Sequence, residues 1–274
     1  MSTIHTTAII DPTARIGENV EIGPYVVIER DTVIGDGCVI RAHSVIGRHT
    51  RMGKNNFVDA SVSLGGLPQD LKFPHDCVTY VTIGDNNTFR EFVTVNRATK
   101  EGTSTIVGNN TYWMTTSHAG HDCIIHDNVI MTAGTKAAGH CEIFDGVIMP
   151  ANGALHQFVW VGKKVMFQGG SQASMHVPPY VLCAQDNNVI NLNLVGLKRD
   201  ASLSMEDIAQ IHEAFNLTYR SHLTPTAALE AMDKCTDWGS AAGEFREFVR
   251  KVLNAKPPRA KGLCPKISRL AGRR

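Results

Sequence analysis

Residues 16–48 read IGENVEIGPYVVIERDTVIGDGCVIRAHSVIGR. An isoleucine stands at every sixth position: Ile16, Ile22, Ile28, Ile34, Ile40 and Ile46. The same step reaches back to Ile10 and Ile4 and forward to Met52, Val58 and Leu64, eleven aliphatic or methionine positions in all. A glycine often follows, as at Gly17, Gly23, Gly35, Gly47, Gly53 and Gly65. A strict period of six fits neither the 3.6 of an α-helix nor the 3.5 of a coiled coil. One strand of such length is implausible. The remaining reading is a solenoid in which each hexad is a short strand plus a corner. The aliphatic residue points inward, and the small residue after it is expected to allow the bend. Three hexads make a triangular coil of 18 residues, and coils stack about 4.8 Å apart.

The period breaks at residues 66–82, resumes at Ile83, Phe89 and Val95, and breaks again at 97–105. It then runs from Val107 through Trp113, Ala119, Ile125, Met131, Ala137 and onward to Ala173. Ala119 and Ala137, 18 apart, should stack on one wall. The prolines of His176-Val-Pro-Pro-Tyr180 end the repetition, because proline cannot donate to a ladder. Ser204 with Asp207 and Thr224-Pro225 read as helix starts, and Phe245, Phe248, Val249 and Leu253 as the apolar stripe of another helix. The expected organisation is a mainly β solenoid over residues 1–185 with two excursions, a small α-helical domain over 186–255, and a basic tail over 256–274. The tail, with seven Lys/Arg and no acid, reads as a solvated, partly disordered end.

Composition narrows the function. The chain has 274 residues, with 27 Lys+Arg against 26 Asp+Glu, which argues against a nucleic-acid binder. No apolar run approaches a membrane span, and the N-terminus lacks the pattern of a signal peptide. Seven cysteines, an odd number with no CxxC, suit reduced thiols in a cytoplasmic protein.

Five of the twelve histidines fall within residues 118–156: His118, His121, His126, His140 and His156. His121 and His140 are 19 apart, and His140 and His156 are 16 apart. Each interval is about one coil, so the three should line one groove. His121 is followed by Asp122, and a neutral imidazole with a carboxylate partner is a good general base. Gly139 precedes His140, where an unobstructed backbone N–H could meet a developing oxyanion. A base, an orienting acid and an oxyanion donor suit acyl transfer by direct attack of an activated hydroxyl. Cys123 and Cys141 read as wall residues.

Over nearly its whole length the chain resembles the bacterial acyl-carrier-protein-dependent UDP-N-acetylglucosamine O-acyltransferases that begin lipid A synthesis. The carrying segments are Gln69-Asp70-Leu71-Lys72, His118-Ala-Gly-His121-Asp122-Cys123, Ala138-Gly139-His140, Leu155-His156-Gln157-Phe158, Val177-Pro178-Pro179-Tyr180 and Gly196-Leu197-Lys198-Arg199. The resemblance implies a left-handed parallel β-helix with a helical C-terminal domain, assembled as a homotrimer, with no cofactor and no metal. It implies that His121 takes the proton from the sugar 3-hydroxyl, that Asp122 orients it, and that the Gly139 backbone holds the thioester oxygen. Asp70 would meet the 3-hydroxyl of a (R)-3-hydroxyacyl chain, with Gln69 beside it and Lys72 near the reacting groups. His118, His140, His156 and Gln157 would contact acyl chain, sugar or nucleotide. Asn193 and Arg199 would reach the UDP part, and Gly169 would leave the acyl groove open for a long chain. The partners implied are acyl carrier protein as donor and UDP-N-acetylglucosamine as acceptor. Acyl carrier protein is acidic, so Arg246, Arg250 and Lys251 on the last predicted helix are candidates for docking it.

The chain departs from the family pattern at Asn96, Ala98, Lys136, Val195 and Asp200. Asp200 would repel a diphosphate unless it faces away. A 3-amino sugar acceptor, giving an amide, therefore stays open. So do two other classes. A zinc carbonic anhydrase on the same solenoid would use His121 and His126, five apart, but the position two coils earlier is Asp85. A non-catalytic solenoid would not need His121-Asp122 beside Gly139.

Overall fold

The computed structural model describes residues 2–266. Hexads become strands mostly two residues long, such as Val27–Ile28, Val33–Ile34 and Val39–Ile40. Strands three hexads apart pair in parallel and build three sheets of seven, nine and eight strands. The coils form a left-handed parallel β-helix, contrary to the usual right-handed crossover. Pairing is 18 residues apart in the regular coils, as in Val39↔Phe57. It widens to 31 across the first excursion, Phe57↔Thr88, and to 24 across the second, Thr88↔Tyr112. The excursions loop out while the core stays in register.

Ile22, Ile28, Ile34, Ile40 and Ile46 are buried, whereas Ile4, in the open first coil, is 47% exposed. Further along, the hexads trade volume within one coil. Trp113 fills the interior beside Phe89 with ring centroids 5.5 Å apart, and its indole N–H donates to the Thr111 hydroxyl at 2.8 Å. The next wall position is only Ala119, paired with Ala137. Large and small residues thus alternate to keep the core filled. Small alanines on this wall immediately precede the corner that carries His121 and Gly139.

One expectation needs correction. The glycines after the aliphatic positions do not make the bends. Left-handed backbone occurs three residues after each inward residue, at Asn19, Tyr25, Asp31, Gly37, His43 and His49. Glycine is required one residue after the inward position because successive coils nearly touch there. A Cβ on Gly35 would lie 2.6 Å from the Gly53 carbonyl carbon, and one on Gly47 would lie 2.4 Å from the Gly65 oxygen.

After the coils come four helices: α1 (Leu194–Arg199), α2 (Met205–Tyr219), α3 (Pro225–Asp233) and α4 (Ser240–Leu253). Ser204 and Asp207 form a reciprocal capping box on α2, and Thr224 caps α3. Helix α4 buries Phe245 and Val249 and is tied to the solenoid by Glu244. This carboxylate accepts from the Tyr180 hydroxyl at 2.9 Å and from Lys163 Nζ at 2.7 Å. Burial, with Glu244 adding to it, pushes the Tyr180 hydroxyl well above the usual phenol range. No helix among the described residues is long and apolar enough to cross a membrane.

The tail is the second correction, over its described part. Residues 256–266 form a strap on the outside of the solenoid. His176, fully buried, accepts from the Trp160 backbone N–H through Nδ1 at 3.0 Å. Its Nε2 therefore carries the proton and donates to the Arg259 carbonyl at 2.7 Å. The His176 carbonyl accepts from the Cys264 N–H at 2.7 Å, and the Tyr219 hydroxyl donates to the Cys264 carbonyl at 2.9 Å. Composition alone suggested a solvated end, but these fixed partners hold the strap in place. The remaining tail, 267–274, lies outside the described residues.

Candidate active site

Three consecutive coils turn the same corner at His121-Asp122, Gly139-His140 and Gln157-Phe158. At each the third residue past the inward position is left-handed, with φ of 59° at Asp122, 61° at His140 and 67° at Phe158. The His140 N–H donates to the His121 carbonyl at 2.9 Å, and the Phe158 N–H to the Gly139 carbonyl at 3.1 Å.

His121 Nδ1 donates to Asp122 Oδ2 at 2.9 Å. That bond assigns the proton to Nδ1 and leaves Nε2 as the basic lone pair. Asp122 is held by more than the imidazole. The Thr99 hydroxyl donates to Oδ2 at 2.7 Å, and the Thr99 N–H to both oxygens at 3.2 Å. The Thr105 hydroxyl accepts from the Asp122 N–H at 2.8 Å. Burial raises the carboxyl, but the His121 and Thr99 hydrogen bonds outweigh it and hold Asp122 below its ordinary range. Asp122 is the anionic partner of a base.

Gly139 faces the base. A Cβ there would lie 2.5 Å from His121 Cε1 and 2.6 Å from Nε2. The basic nitrogen therefore looks onto bare backbone, and the Gly139 N–H donates to no backbone carbonyl among the described residues. At the neighbouring corner the equivalent amides are capped: the Lys54 N–H by Asp85 at 2.6 Å, and the Asn109 N–H by Asp127 at 2.7 Å. An open amide beside a lone pair is the pairing that a tetrahedral oxyanion and its general base require.

His140 stacks on Phe158 at 4.5 Å and meets His121 edge-on at 5.1 Å. Burial lowers its basicity, Asp122 works the other way, and His121 and Arg259 lower it further. His118 bonds the Thr94 hydroxyl through Nδ1 at 2.7 Å and pairs in register with Lys136. Burial and then the Lys136 charge push it down. His156 and Gln157 are exposed on the next coil.

Other sequence-singled residues are more dispersed. Gln69, Asp70 and Lys72 sit on the exposed first excursion, where the Asp70 carboxylate accepts from the Lys72 N–H at 2.9 Å. The Asp70 charge is felt at His140. Asn96, one of the departures, donates to the Leu67 carbonyl at 2.8 Å and pins the root of that loop. Gly169 has no atom nearer to its Cβ direction than the Ala151 oxygen at 4.0 Å. Asn193 caps α1 by accepting from the Gly196 N–H at 3.0 Å and donates to the Lys164 carbonyl at 3.0 Å. Arg199 is exposed. Asp200 is ion-paired with Lys164, so its charge is compensated.

Two expectations fail. Arg246, Arg250 and Lys251 do not present free charge for docking. Arg246 and Arg250 pair with Asp233 and Glu247, and Lys251 with Glu142 at 3.0 Å. The zinc pair His121 and His126 is not brought together either. His126 stacks on Phe144 at 4.8 Å and reaches Glu142. The metal-capable group among the described residues is His121, Asp122 and His140, and both Asp122 oxygens in it already accept hydrogen bonds.

The chain is similar in sequence and in fold to known proteins. Residues 13–48 match the family described as bacterial transferase hexapeptide (six repeats), and residues 176–264 match UDP-N-acetylglucosamine O-acyltransferase, domain 2. An acyl-carrier-protein-dependent UDP-N-acetylglucosamine O-acyltransferase of Herminiimonas arsenicoxydans is 36% identical, covering 94% of this chain and 98% of the relative. One from Paracidovorax citrulli is 45% identical, covering 91% and 97%. The crystal structure of the Francisella novicida UDP-N-acetylglucosamine acyltransferase superposes with a TM-score of 0.89 at 30% identity, covering 99% of each chain. That of Bacteroides fragilis gives 0.86 at 37%, covering 95% and 99%.

Proposed function

The chain belongs to the family of acyl-carrier-protein-dependent UDP-N-acetylglucosamine O-acyltransferases, and from that premise we propose that it moves a (R)-3-hydroxyacyl chain from acyl carrier protein to the 3-hydroxyl of UDP-N-acetylglucosamine. This is the first step of lipid A synthesis. The observation that carries the reading is the His121 imidazole, protonated at Nδ1 toward Asp122 and bare at Nε2 toward Gly139. Nε2 takes the proton of the 3-hydroxyl as its oxygen attacks the thioester carbonyl. The C–O bond forms, charge gathers on the former carbonyl oxygen, and the Gly139 N–H stabilises it. Collapse expels the pantetheine thiolate, to which the imidazolium returns its proton. Asp122 stays ionised throughout and stabilises the transient cation.

The site lies on the outer edge of one solenoid, with His156, Gln157 and the Asp70 loop open outward. A groove built on one edge needs a second wall, which we assign to a neighbouring subunit of a cyclic homotrimer. Gly169, with no side chain to block the groove, favours a long chain of the 3-hydroxymyristoyl class. We place the reaction in the cytoplasm, where acyl carrier protein is charged.

Mass spectrometry of the product formed from UDP-N-acetylglucosamine and a panel of 3-hydroxyacyl carrier proteins tests the reading, with His121→Ala as the parallel control. The expected product is the 3-O-ester, and the variant should be slower by roughly 10²- to 10⁴-fold. No product, or a variant with more than a tenth of the activity, overturns it, and so does faster turnover of the 3-amino analogue of the acceptor, which gives the amide.

A further inference from the structure

The strap of residues 256–266 delivers two cations to the candidate site. The Arg259 guanidinium donates to the His140 carbonyl at 2.9 Å and to the Phe158 carbonyl at 3.1 Å. These carbonyls belong to the left-handed corners of successive coils, so one side chain staples the two coils beside His121. Two residues on, Lys261 Nζ lies 3.3 Å from His156 Nδ1. An ammonium only donates, so Nδ1 accepts in that contact. The Gln157 carbonyl, which would need a proton on Nδ1, is farther at 3.4 Å, and with Lys261 bound the imidazole proton sits on Nε2. Among the described residues neither Arg259 nor Lys261 has a carboxylate within ion-pair distance. That separates them from Arg246, Arg250 and Lys251, whose charges are compensated. Arg259 is also anchored at its own carbonyl by His176, a fully buried residue. A tied-down segment therefore holds two uncompensated cations beside His140 and His156.

Resting on the acyl-transfer reading above, we propose that Lys261, positioned by the Arg259 staple, binds a phosphate group of an incoming substrate, with the His156 Nε2–H as a second donor. Lysine serves phosphate as a compact point charge on a flexible stem. An anion arriving here supplies the counter-ion that the fold leaves out. Both expected substrates carry phosphate: the acceptor a diphosphate, the donor a phosphopantetheine arm.

The test is steady-state kinetics of Lys261→Ala and Lys261→Arg, with thermal midpoints measured alongside. Lys261→Ala is expected to raise one KM by about tenfold, equal to about 1.4 kcal/mol, with kcat within about twofold of wild type. Lys261→Arg should recover most of the loss. A raised KM for the sugar nucleotide identifies the diphosphate. A raised KM for the acyl carrier protein that disappears with an acyl-pantetheine donor lacking the phosphate identifies the arm. Either supports the proposal. Both KM values unchanged, or kcat reduced at unchanged KM, refutes it. Calorimetric titration of each protein with UDP and with 4′-phosphopantetheine reads the same site without turnover. If wild type forms no ester, the acyl-transfer reading falls, and equal affinities of wild type and Lys261→Ala for both ligands then refute the phosphate site as well.

Discussion

Replacing Gly139 by alanine tests the heart of the site without removing any chemical group from it. The added Cβ would lie 2.5 Å from Cε1 and 2.6 Å from Nε2 of His121. Carbon contacts settle at about 3.5–4.0 Å, so the imidazole must retreat by about 1 Å. It has little freedom to do so. Nδ1 is bonded to Asp122 at 2.9 Å, and the ring lies edge-on to His140 at 5.1 Å. Misplacing a catalytic group by about 1 Å costs roughly 10²-fold, or about 2.7 kcal/mol of transition-state stabilisation. The Gly139 N–H survives the change, so the loss reports on the base. Gly139 is not in the left-handed region, so alanine adds no backbone strain. Initial rates of ester formation should show kcat/KM down about 100-fold with the thermal midpoint little moved. Gly243→Ala is the matched control, because a Cβ there meets nothing within 4 Å; it should keep full activity. Gly139→Ala retaining more than a third of wild-type kcat/KM would refute the claim that His121 acts from its observed position.

Three further outcomes follow from the same contacts. Thr99→Val removes the 2.7 Å bond to Asp122 and should lower kcat by roughly 5- to 20-fold; it should also move the acidic limb of the pH profile upward, because that bond depresses the carboxyl. Thr99→Ser should restore both, and an unmoved limb would leave Thr99 without a positioning role. Gly169→Met should shift donor preference toward shorter chains, since each methylene denied burial forfeits about 0.8 kcal/mol; an unmoved preference places the length stop elsewhere. Burial depresses His176 below its ordinary value of 6.5, so below that pH the unfolded chain binds the proton that the folded chain refuses. Stability should therefore fall as the pH drops below about 6.5, read as urea midpoints at pH 7.5 and 5; the slope should shrink in a His176→Gln variant that still folds, the remainder coming from His49, His118 and His140, which burial also depresses, and an unchanged slope there removes His176 as a source.

The solenoid was legible because one inward residue per hexad repeats without regard to what the corners carry. His121 and Asp122 were legible because they are adjacent in sequence and bond each other directly. Thr99 was not. It stands 23 residues from its carboxylate, and an excursion without periodicity brings it back. Part of the cause is Arg97, fully buried, whose Nη1 donates to the Thr79 carbonyl and ties the two excursions together at 3.3 Å. Helix α1, six residues long, is too short to show an apolar period. The strap was misread because its hold comes from particular acceptors, the His140, Phe158 and His176 carbonyls, which composition does not encode. Asp200 looked unfavourable for the same reason, its Lys164 partner being invisible until the chain is folded.

The two neighbouring corners show why the chemistry sits where it does. At the corner carrying Asp36, Asp85, Asn109 and Asp127, the second residue past the inward position reaches across to the coil before it. There it caps the backbone amide of its counterpart: Glu18 by Asp36, Lys54 by Asp85, Asp85 by Asn109 and Asn109 by Asp127. That ladder closes the corner. At the catalytic corner the same rung is filled by His121, Gly139 and Gln157. Glycine has no side chain to cap the His121 amide of the coil before it, so the His121 ring takes the space of that missing rung, and among the described residues the Gln157 side chain of the next coil does not cap the Gly139 amide. Base and oxyanion donor thus come from two consecutive omissions in a repeating hydrogen-bond pattern. The left-handed residue that follows, tolerant of Asp and His, then turns Asp122 and His140 toward the same ring. The rung that would cap the Gly139 amide belongs to position 157, so Gln157→Asp, which restores the short carboxylate cap seen at the neighbouring corner, should occupy that amide while leaving the imidazole its space and lower kcat by roughly 10²-fold; an unchanged kcat would show that amide to be idle.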